Sequence, residues 1–252
     1  MNRFLCMVAG LSAAALLIAG CGGTSLSSNV ARIRAYDGAT GTTSTATIYI
    51  NNGSANGSQN YGQVSSYLYV NSGTSTFAWA VNNLTGGSVT PFPATLNPGS
   101  VYSAILLGNA STGNSFGPSS PILDVTVDDQ TSPPSGQSRI RIIHDAPDAG
   151  SIDVYINGSI QQSSYAYPGS TITGLTPAEI ALGTPFSLQN FNYSNAPAGT
   201  VKIQINEAGT NTVIAGPTSF PITGGGKYTF FLNEPTVSPS ATYSFQQITD
   251  SL

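Results

Sequence analysis

The chain has 252 residues, of which 40% are hydrophobic and only 7% are charged, and its formal net charge is −4. This length accommodates one or two domains, and the apolar fraction is sufficient for a packed core. Lys and Arg are too sparse to form the basic stripe that a nucleic-acid partner requires, and the same scarcity argues against electrostatic docking on anionic lipids. Ser, Thr, Asn and Gly supply most of the polar surface, and beyond the N-terminal segment no stretch keeps a helical apolar spacing. The composition therefore predicts an all-β protein.

Residues 1–20 have the features of a lipoprotein signal peptide. Arg3 gives a positive start, an apolar run follows, and the segment ends with Leu-Ile-Ala-Gly before Cys21. This order resembles the lipobox of bacterial lipoproteins. The alternatives are an ordinary secretory signal that contains a cysteine and an uncleaved transmembrane helix, but the apolar run is short for a bilayer span of about 20 residues. Cleavage before Cys21 would remove Arg3 and change the net charge from −4 to −5.

Cys21 is the predicted membrane anchor. The other cysteine, Cys6, lies in the segment to be removed, so the mature chain would hold no disulfide. The lipoprotein resemblance implies several acyl chains on Cys21, which anchor a protein stably. We expect the protein in the bacterial cell envelope, and at the outer membrane if the cell has two membranes, because Gly22 rather than Asp follows the cysteine. Residues 21–28 form a predicted flexible tether.

The first repeat is predicted to be a series of short strands. Alternation of apolar and polar residues predicts strands at 31–36, 47–50, 66–70, 76–81, 103–107 and 121–127. Residues 51–60 are dense in Asn and Gly and are predicted to be a loop. Trp79, the only tryptophan, shares a strand face with Phe77 and is predicted to lie in the core rather than to serve as a sugar-stacking platform.

One turn indicates the kind of sandwich. Leu96 to Tyr102 has the form L-x-P-G-x-x-Y, which resembles the tyrosine corner of immunoglobulin-like and fibronectin-like sandwiches. There the tyrosine hydroxyl bonds to the backbone upstream. Tyr228 stands in a matching place in the second half of the chain, after Ile222-Thr-Gly-Gly-Gly-Lys, with Gly in place of Pro.

Two copies of one β unit account for the length of the chain. Arg32-Ile-Arg34 opens the first and Arg139-Ile-Arg141 opens the second. Asp128 to Gln137, at the boundary between the two copies, carries two acids, two prolines and no apolar residue, which predicts an exposed linker. Asp128 and Asp129 are expected to be a solvated acidic pair rather than cation ligands. The predicted order is a signal peptide (1–20), a tether (21–28), a first β-sandwich (29–128), a linker (129–137) and a second β-sandwich (138–252).

The stretch from Arg139 to Gly158 (RIRIIHDAPDAGSIDVYING) predicts a strand, a tight polar corner and a second strand. Its Ile-Ile-His-Asp-Ala-Pro-Asp-Ala and Ile-Asp-Val-Tyr segments resemble the signature of DUF4397, a bacterial family of unknown function. The resemblance implies exported proteins or lipoproteins with all-β, sandwich-like domains, often in tandem, and no established activity. The first repeat departs from the signature, since residues 37–41 (DGATG) replace the corner. The second repeat has extra sequence in which residues 175–182 are a predicted short helix.

His144, the only histidine, raises the question of catalysis. Zinc needs about three or four ligands and calcium six to eight oxygens, so no metal and no cofactor is predicted. No G-x-S-x-G elbow supports a serine hydrolase. The favoured hypothesis is structural: Pro147 fixes the corner, Asp148 accepts turn amides, and Asp153 holds His144 or a backbone donor.

These patterns leave two function classes. The favoured one is a non-enzymatic envelope lipoprotein whose tandem sandwiches form a structural or binding module, joined to the membrane through Cys21. Its ligand would be a glycan or a protein, because exposed loop tyrosines offer contact area. The tyrosines expected to do so are Tyr61, Tyr165, Tyr167 and Tyr193. The alternative is an envelope hydrolase that uses His144.

Overall fold

A computed structural model describes residues 29–39, 45–81, 92–108, 122–168, 192–234 and 242–250. Several predicted features lie outside these residues: the signal peptide, Cys21, the tether and the short helix at 175–182. The prediction of an all-β protein is confirmed, because the elements described are sixteen strands and one turn of 3-10 helix, Pro147–Ala149. In these parts of the chain no helix is long and apolar enough to cross a bilayer.

Strands β1 to β8 build a first sandwich of two four-stranded sheets. The inner sheet has the order β4-β1-β7-β8, and the outer sheet has the order β3-β2-β5-β6. The strands are β1 (Val30–Asp37), β2 (Ala46–Ile50), β3 (Gly53–Gln59), β4 (Leu68–Asn71), β5 (Gly73–Val81), β6 (Phe92–Leu96), β7 (Val101–Leu107) and β8 (Ile122–Val127).

Strands β9 to β16 build a second sandwich on the same plan. Its inner sheet has the order β12-β9-β15-β16, and its outer sheet has the order β11-β10-β13-β14. In each inner sheet the first strand pairs in parallel with a later one, β1 with β7 and β9 with β15, and the other pairings of named strands are antiparallel. The strands are β9 (Gln137–Asp145), β10 (Ile152–Ile156), β11 (Ser159–Tyr165), β12 (Ser194–Pro197), β13 (Gly199–Glu207), β14 (Val213–Ile222), β15 (Lys227–Asn233) and β16 (Ser244–Thr249).

The predicted loop at 51–60 is wrong, because most of it is strand β3. Asn51 and Asn52 have positive φ angles of 51° and 64°, so these two residues make the whole turn and the chain returns at once to pair with β2. The polar side chains after the turn suit an edge strand, since most of them face solvent. Asn was correctly associated with left-handed backbone angles, but the length of the turn was overestimated.

Each sandwich has its own core between its two sheets. In the first, the core includes Ile33, Ile48 and Phe77, and the prediction that Trp79 is a core residue is confirmed by its 5% exposure. In the second, alternate residues of β9, β10, β13 and β15 fill the same place. Strand alternation supplies these cores, because every second side chain of a strand points to the same face.

A third buried layer lies between the two inner sheets. Ile33 and Ala35 of β1 point into the first sandwich, so Arg34 and Tyr36 point out of it, toward the second. Tyr36 stacks on Phe231 of β15, with ring centroids 3.8 Å apart and an interplanar angle of 17°. Ile105 and Leu107 of β7 belong to the same apolar cluster as the core of the second sandwich. The protein is therefore a stack of four sheets in which the two middle ones pack on each other.

Candidate functional site: the junction between the sandwiches

Four buried charged side chains connect the two inner sheets at one end of the junction, and we call them the reciprocal charge cluster: Arg34, Asp128, Arg141 and Asp250. Arg34 of the first sandwich donates through Nη2 to Asp250 Oδ1 of the second. Arg141 of the second sandwich donates through Nη2 to Asp128 Oδ1, 2.6 Å away, at the end of the first. Each sandwich thus holds an arginine whose main carboxylate partner comes from the other sandwich.

Equivalent hydroxyl groups complete both halves of the cluster. Arg34 Nε donates to Ser103 Oγ at 2.9 Å, and Arg141 Nε donates to Thr229 Oγ1 at 2.7 Å. Ser103 in turn donates to Asp128 at 2.7 Å, and Thr229 donates to Asp250 at 2.6 Å. These matching bonds give the junction an approximate two-fold symmetry.

Two tyrosines also occupy matching positions in the two halves of the cluster. The hydroxyl of Tyr67 donates to Asp128 at 3.0 Å, and that of Tyr193 donates to Asp250 at 2.7 Å. The guanidinium of Arg34 lies 5.1 Å from the centre of the Tyr67 ring, and that of Arg141 lies 4.7 Å from the Tyr193 ring, as in cation–π pairs. The charges are therefore paired, hydrogen-bonded and covered by aromatic rings.

The electrostatic balance of the cluster favours the charged forms of Asp128, Arg34 and Arg141. Burial alone would raise the pKa of Asp128, but the guanidinium groups of Arg141 and Arg34 outweigh burial and hold that pKa below its usual value. Burial would likewise lower the pKa of Arg34, and the carboxylates of Asp128 and Asp250 reverse that effect and raise it. Two positive and two negative charges leave the cluster neutral, which is the condition under which charges are tolerated in a protein interior.

The predicted solvation of Asp128 is wrong. Its side chain is 1% exposed, whereas that of Asp129 is 41% exposed and pairs with Arg139 at 2.5 Å. Hydrogen bonds from Thr131, together with Arg139, lower the pKa of Asp129 to about 2. Only the second acid of the pair belongs to the exposed linker, because the first completes the edge of the inner sheet through a hydrogen bond from its N–H to the carbonyl of Val101.

Sequence analysis missed the pairing of this cluster, although a signal was present. The two Arg-Ile-Arg segments place an arginine at the same position of β1 and β9, on the face opposite the core. An aspartate directly follows the last strand of each inner sheet, at Asp128 and Asp250. Charged residues that recur at matching places in a chain with so few charges indicate a shared partner.

The opposite end of the junction holds further buried carboxyl groups. Asp37, Asp145 and Glu234 are 2%, 0% and 3% exposed. Asp145 reaches across the junction, where its Oδ1 accepts a hydrogen bond from the N–H of Gly108 at 2.8 Å. Burial raises the pKa of Asp37 to about 7 and that of Asp145 well above its usual value.

His144 is a core residue of the second sandwich. Its side chain is fully buried, and its ring meets those of Tyr165 and Tyr167 edge-on, with centroid distances of 5.7 and 6.0 Å. The N–H of Ala146 donates to Nδ1 at 3.3 Å, so Nε2 carries the proton and donates to the carbonyl of Gly150 at 2.8 Å. Burial lowers the pKa of His144 to about 4. Both ring nitrogens are thus used by the backbone of the corner, and the ring is neutral near pH 7.

The other predicted corner residues do not gather around His144. Asp153 is buried in β10 and accepts two backbone N–H groups, from Ser164 at 2.8 Å and from Gly209 at 2.9 Å. Asp148 is exposed, and its N–H donates to Glu234 Oε1. Pro147 begins the 3-10 turn. The two strands of this stretch lie in different sheets of the sandwich, so His144 and Asp153 are not neighbours across a hairpin.

Both predicted corner tyrosines bond to the backbone five positions upstream. The N–H of Asn97 donates to the hydroxyl oxygen of Tyr102 at 2.8 Å, and the N–H of Thr223 donates to that of Tyr228 at 2.9 Å. Each tyrosine opens the second strand of the parallel pair of its inner sheet. What these bonds contribute to stability stays a prediction.

The tyrosines expected to be exposed are not. Tyr165, Tyr167 and Tyr193 are 8%, 2% and 9% exposed, and Tyr61 is half-buried. Tyr165 and Tyr167 pack in the second core, and Tyr193 packs against Arg141 at the junction. Tyr69 is instead the most exposed of the large hydrophobic residues in the described part of the chain, at 66%. In the same part of the chain, no group of three or more His, Cys, Asp or Glu side chains is arranged to hold a metal ion.

Comparison with known proteins gives a family for this chain. The model of the family described as a domain of unknown function, DUF4397, matches residues 31–155. These residues belong to the DUF4397 family. The match begins in β1, crosses the linker and ends in β10. No match to a curated protein was found.

Among solved structures, the chain is similar to a candidate cell adhesion protein from Parabacteroides distasonis ATCC 8503. The two share 10% sequence identity and a TM-score of 0.20, and the alignment covers 88% of this chain and 98% of that one. At this level of similarity the comparison carries no argument about function.

Proposed function

We propose that this protein is an envelope lipoprotein, anchored through Cys21, whose two β-sandwiches act together as one non-enzymatic structural or binding module. Membership of a family of unknown function and the all-β fold are compatible with such a role. The observation that carries the proposal is the reciprocal charge cluster. Each sandwich supplies the carboxylate partner of the other sandwich's buried arginine. The two sandwiches therefore form one structural unit rather than two independent domains.

The direction of the strands favours a presenting role. The predicted tether precedes β1 in the chain, and β1, β7, β9 and β15 all start at the end of the junction that holds the reciprocal charge cluster. The connections after β1, β7 and β15 therefore begin at the opposite end, which we call the far end. Loops that are carried on a rigid scaffold are the usual place for contacts with partners. A glycan or protein partner would then meet this far end.

The arrangement around His144 supports a non-enzymatic role over a hydrolase. A general base must reach the proton that it abstracts, at a hydrogen-bond distance or through one water. His144 is fully buried and bonded on both nitrogens within its own corner. Its side chain therefore supports the fold of the corner rather than a reaction at the surface.

Cell fractionation of the full chain tests the anchoring. Cys21→Ser should abolish acylation, so the protein should leave the membrane fraction or accumulate with its signal uncleaved. Cys6→Ser is the matched control, because it changes the other cysteine within the predicted signal and should stay anchored. If the Cys21→Ser protein still partitions quantitatively into detergent as a processed chain, the lipoprotein proposal is wrong.

A further inference from the structure

Asp145 is an acid placed where an ionised carboxylate has little support. It ends β9 at the far end of the junction and is fully buried. Its Oδ1 accepts the N–H of Gly108 from the first sandwich, but its Oδ2 has no hydrogen-bond partner in the described structure. A buried carboxylate with an unpaired oxygen is costly, whereas the protonated acid is not charged.

Among the described residues, the titratable groups that act on Asp145 add no positive charge. They come from four other segments of the chain, and all of them are acids or phenols: Tyr36 and Asp37 at the end of β1, Tyr61 between β3 and β4, Tyr167 after β11 and Glu234 after β15. The neighbouring His144 points into the core of the second sandwich. The two charged groups that act on the Asp145 carboxyl, Glu234 and Asp37, both oppose its ionisation.

The first sandwich packs directly on this carboxyl. A methyl group added at Gly38 would collide with Asp145 Oδ2 and would lie 2.8 Å from the carbonyl oxygen of Leu106. The carboxyl therefore lies against the backbone of the first sandwich, with no space for a counter-ion between them.

We propose that Asp145 makes the junction responsive to pH. When the carboxyl is protonated, the far end of the junction closes. When it is ionised, that end opens, while the reciprocal charge cluster keeps the near end joined. The two sandwiches then rotate about the near end, and the contact between Gly38 and Asp145 opens.

The acid–base properties of the two ends support this division. Burial raises the pKa of Asp145 in the folded protein above its usual value. The bound proton therefore stabilises the folded state fully at pH values below the pKa that Asp145 has in the unfolded chain. This stabilisation is lost as the pH rises through the pKa that Asp145 has in the folded protein. The pKa of Asp128 is lowered, so the near end keeps its charges over the same interval. Rising pH thus weakens one end of the junction and leaves the other intact.

Amide hydrogen exchange of the full chain tests the proposal, with the N–H of Gly108, which bonds to Asp145, as the reporter of the far end. The N–H of Asp128, which bonds to Val101, reports on the near end. Corrected for intrinsic exchange, protection at Gly108 should fall about tenfold or more between about pH 5 and about pH 9, and protection at Asp128 should not change. Equal protection of Gly108 at both pH values would overturn the proposal.

Two matched substitutions identify the group responsible. Asp145→Asn keeps an oxygen for Gly108 and cannot ionise, so protection at Gly108 should depend on pH much less than in the unmodified chain, and what remains should come from Asp37 at the same end. Asp129→Asn makes the same change in a half-exposed carboxylate and should keep the response of the unmodified chain. An unchanged pH response in Asp145→Asn would contradict the proposal. If that variant does not fold, as judged by circular dichroism, the pH series on the unmodified chain decides by itself.

Discussion

Arg34 and Asp250 lie 216 positions apart in the chain and form a buried ion pair across the junction. The pair is matched by Arg141 and Asp128, with the roles of the two sandwiches exchanged. A contact of this kind makes the stability of one sandwich depend on the other.

Breaking this ion pair should be costly. Arg34→Met leaves Asp250 buried without its main counter-charge, which should lower the free energy of unfolding by about 3–5 kcal/mol. Arg139→Met is the matched control, because its partner Asp129 is half-exposed and exposed pairs contribute less than about 1 kcal/mol. Denaturant unfolding of the two variants gives both values. Similar midpoints for the two would show that the reciprocal charge cluster does not hold the junction.

His144→Ala should destabilise the protein and remove no activity. It deletes a ring packed between Tyr165 and Tyr167 and leaves the carbonyl of Gly150 and the N–H of Ala146 without their partner, for a total of about 2–4 kcal/mol. The melting temperature measures this loss, and a panel of ester, glycoside and peptide substrates checks for turnover. A variant that melts like the unmodified protein but loses a measurable hydrolysis would support the hydrolase alternative.

The two corner tyrosines should each contribute through a single hydroxyl. Tyr102→Phe and Tyr228→Phe remove the acceptors of the N–H groups of Asn97 and Thr223, and each should cost about 1 kcal/mol or somewhat more. Tyr69→Phe removes an exposed hydroxyl and should change stability by less than about 0.5 kcal/mol. Urea midpoints compare the three variants. If the corner variants match Tyr69→Phe, the corners do not stabilise the sandwiches.

Asp37 should give the stability of the protein a recognisable pH dependence. Its pKa is about 7 in the folded protein, because burial outweighs hydrogen bonds from the backbone of Ala39 and Ala46, and about 3.9 in an unfolded chain. The stabilisation linked to its proton is therefore complete below the unfolded pKa and is lost as the pH rises through about 7. Asp37→Asn should remove this loss, so its free energy of unfolding should fall less than that of the unmodified chain between about pH 4 and about pH 7.

The control for this titration is Asp129→Asn. The pKa of Asp129 is lowered to about 2, so its contribution is lost only as the pH falls toward that value and should not alter the slope in the neutral range. Unfolding at a series of pH values compares the three proteins. Parallel curves for Asp37→Asn and the unmodified chain would contradict the assignment of a raised pKa to Asp37.

The features of this fold that were predicted correctly depend on residues that are close together in the chain. Alternation in β1, β5 and β7 predicted strands because successive side chains must point to opposite faces. Trp79 was predicted to be a core residue because Phe77 lies on the same face of its strand. The turn at Asn51 was recognised, but its length was not, because a two-residue turn with positive φ angles and a longer loop have similar compositions.

Exposure was predicted less well, because it depends on what packs against a residue. Asp128 was assigned to the solvated linker from its polar neighbours, yet Arg141, 13 positions further along, and Arg34, in the first strand, pair with it in the buried junction. Tyr165, Tyr167 and Tyr193 were assigned to the surface for the same reason, and the second core and the junction cover them. No sequence window around these residues contains the partners that decide their environment.

The sequence by itself determined the all-β class, the family to which residues 31–155 belong and the faces on which the apolar side chains of each strand lie. These features follow from the residue types and from the two-residue repeat of a β-strand, in which successive side chains point to opposite faces. Only the tertiary structure shows that the outward faces of β1 and β9 pack together. The residue types of Arg34 and Tyr36 do not indicate whether water or another sheet covers them. Where the two faces pack together, the neutral reciprocal charge cluster lies at one end of the junction. Asp145, whose Oδ2 has no hydrogen-bond partner, lies at the other end.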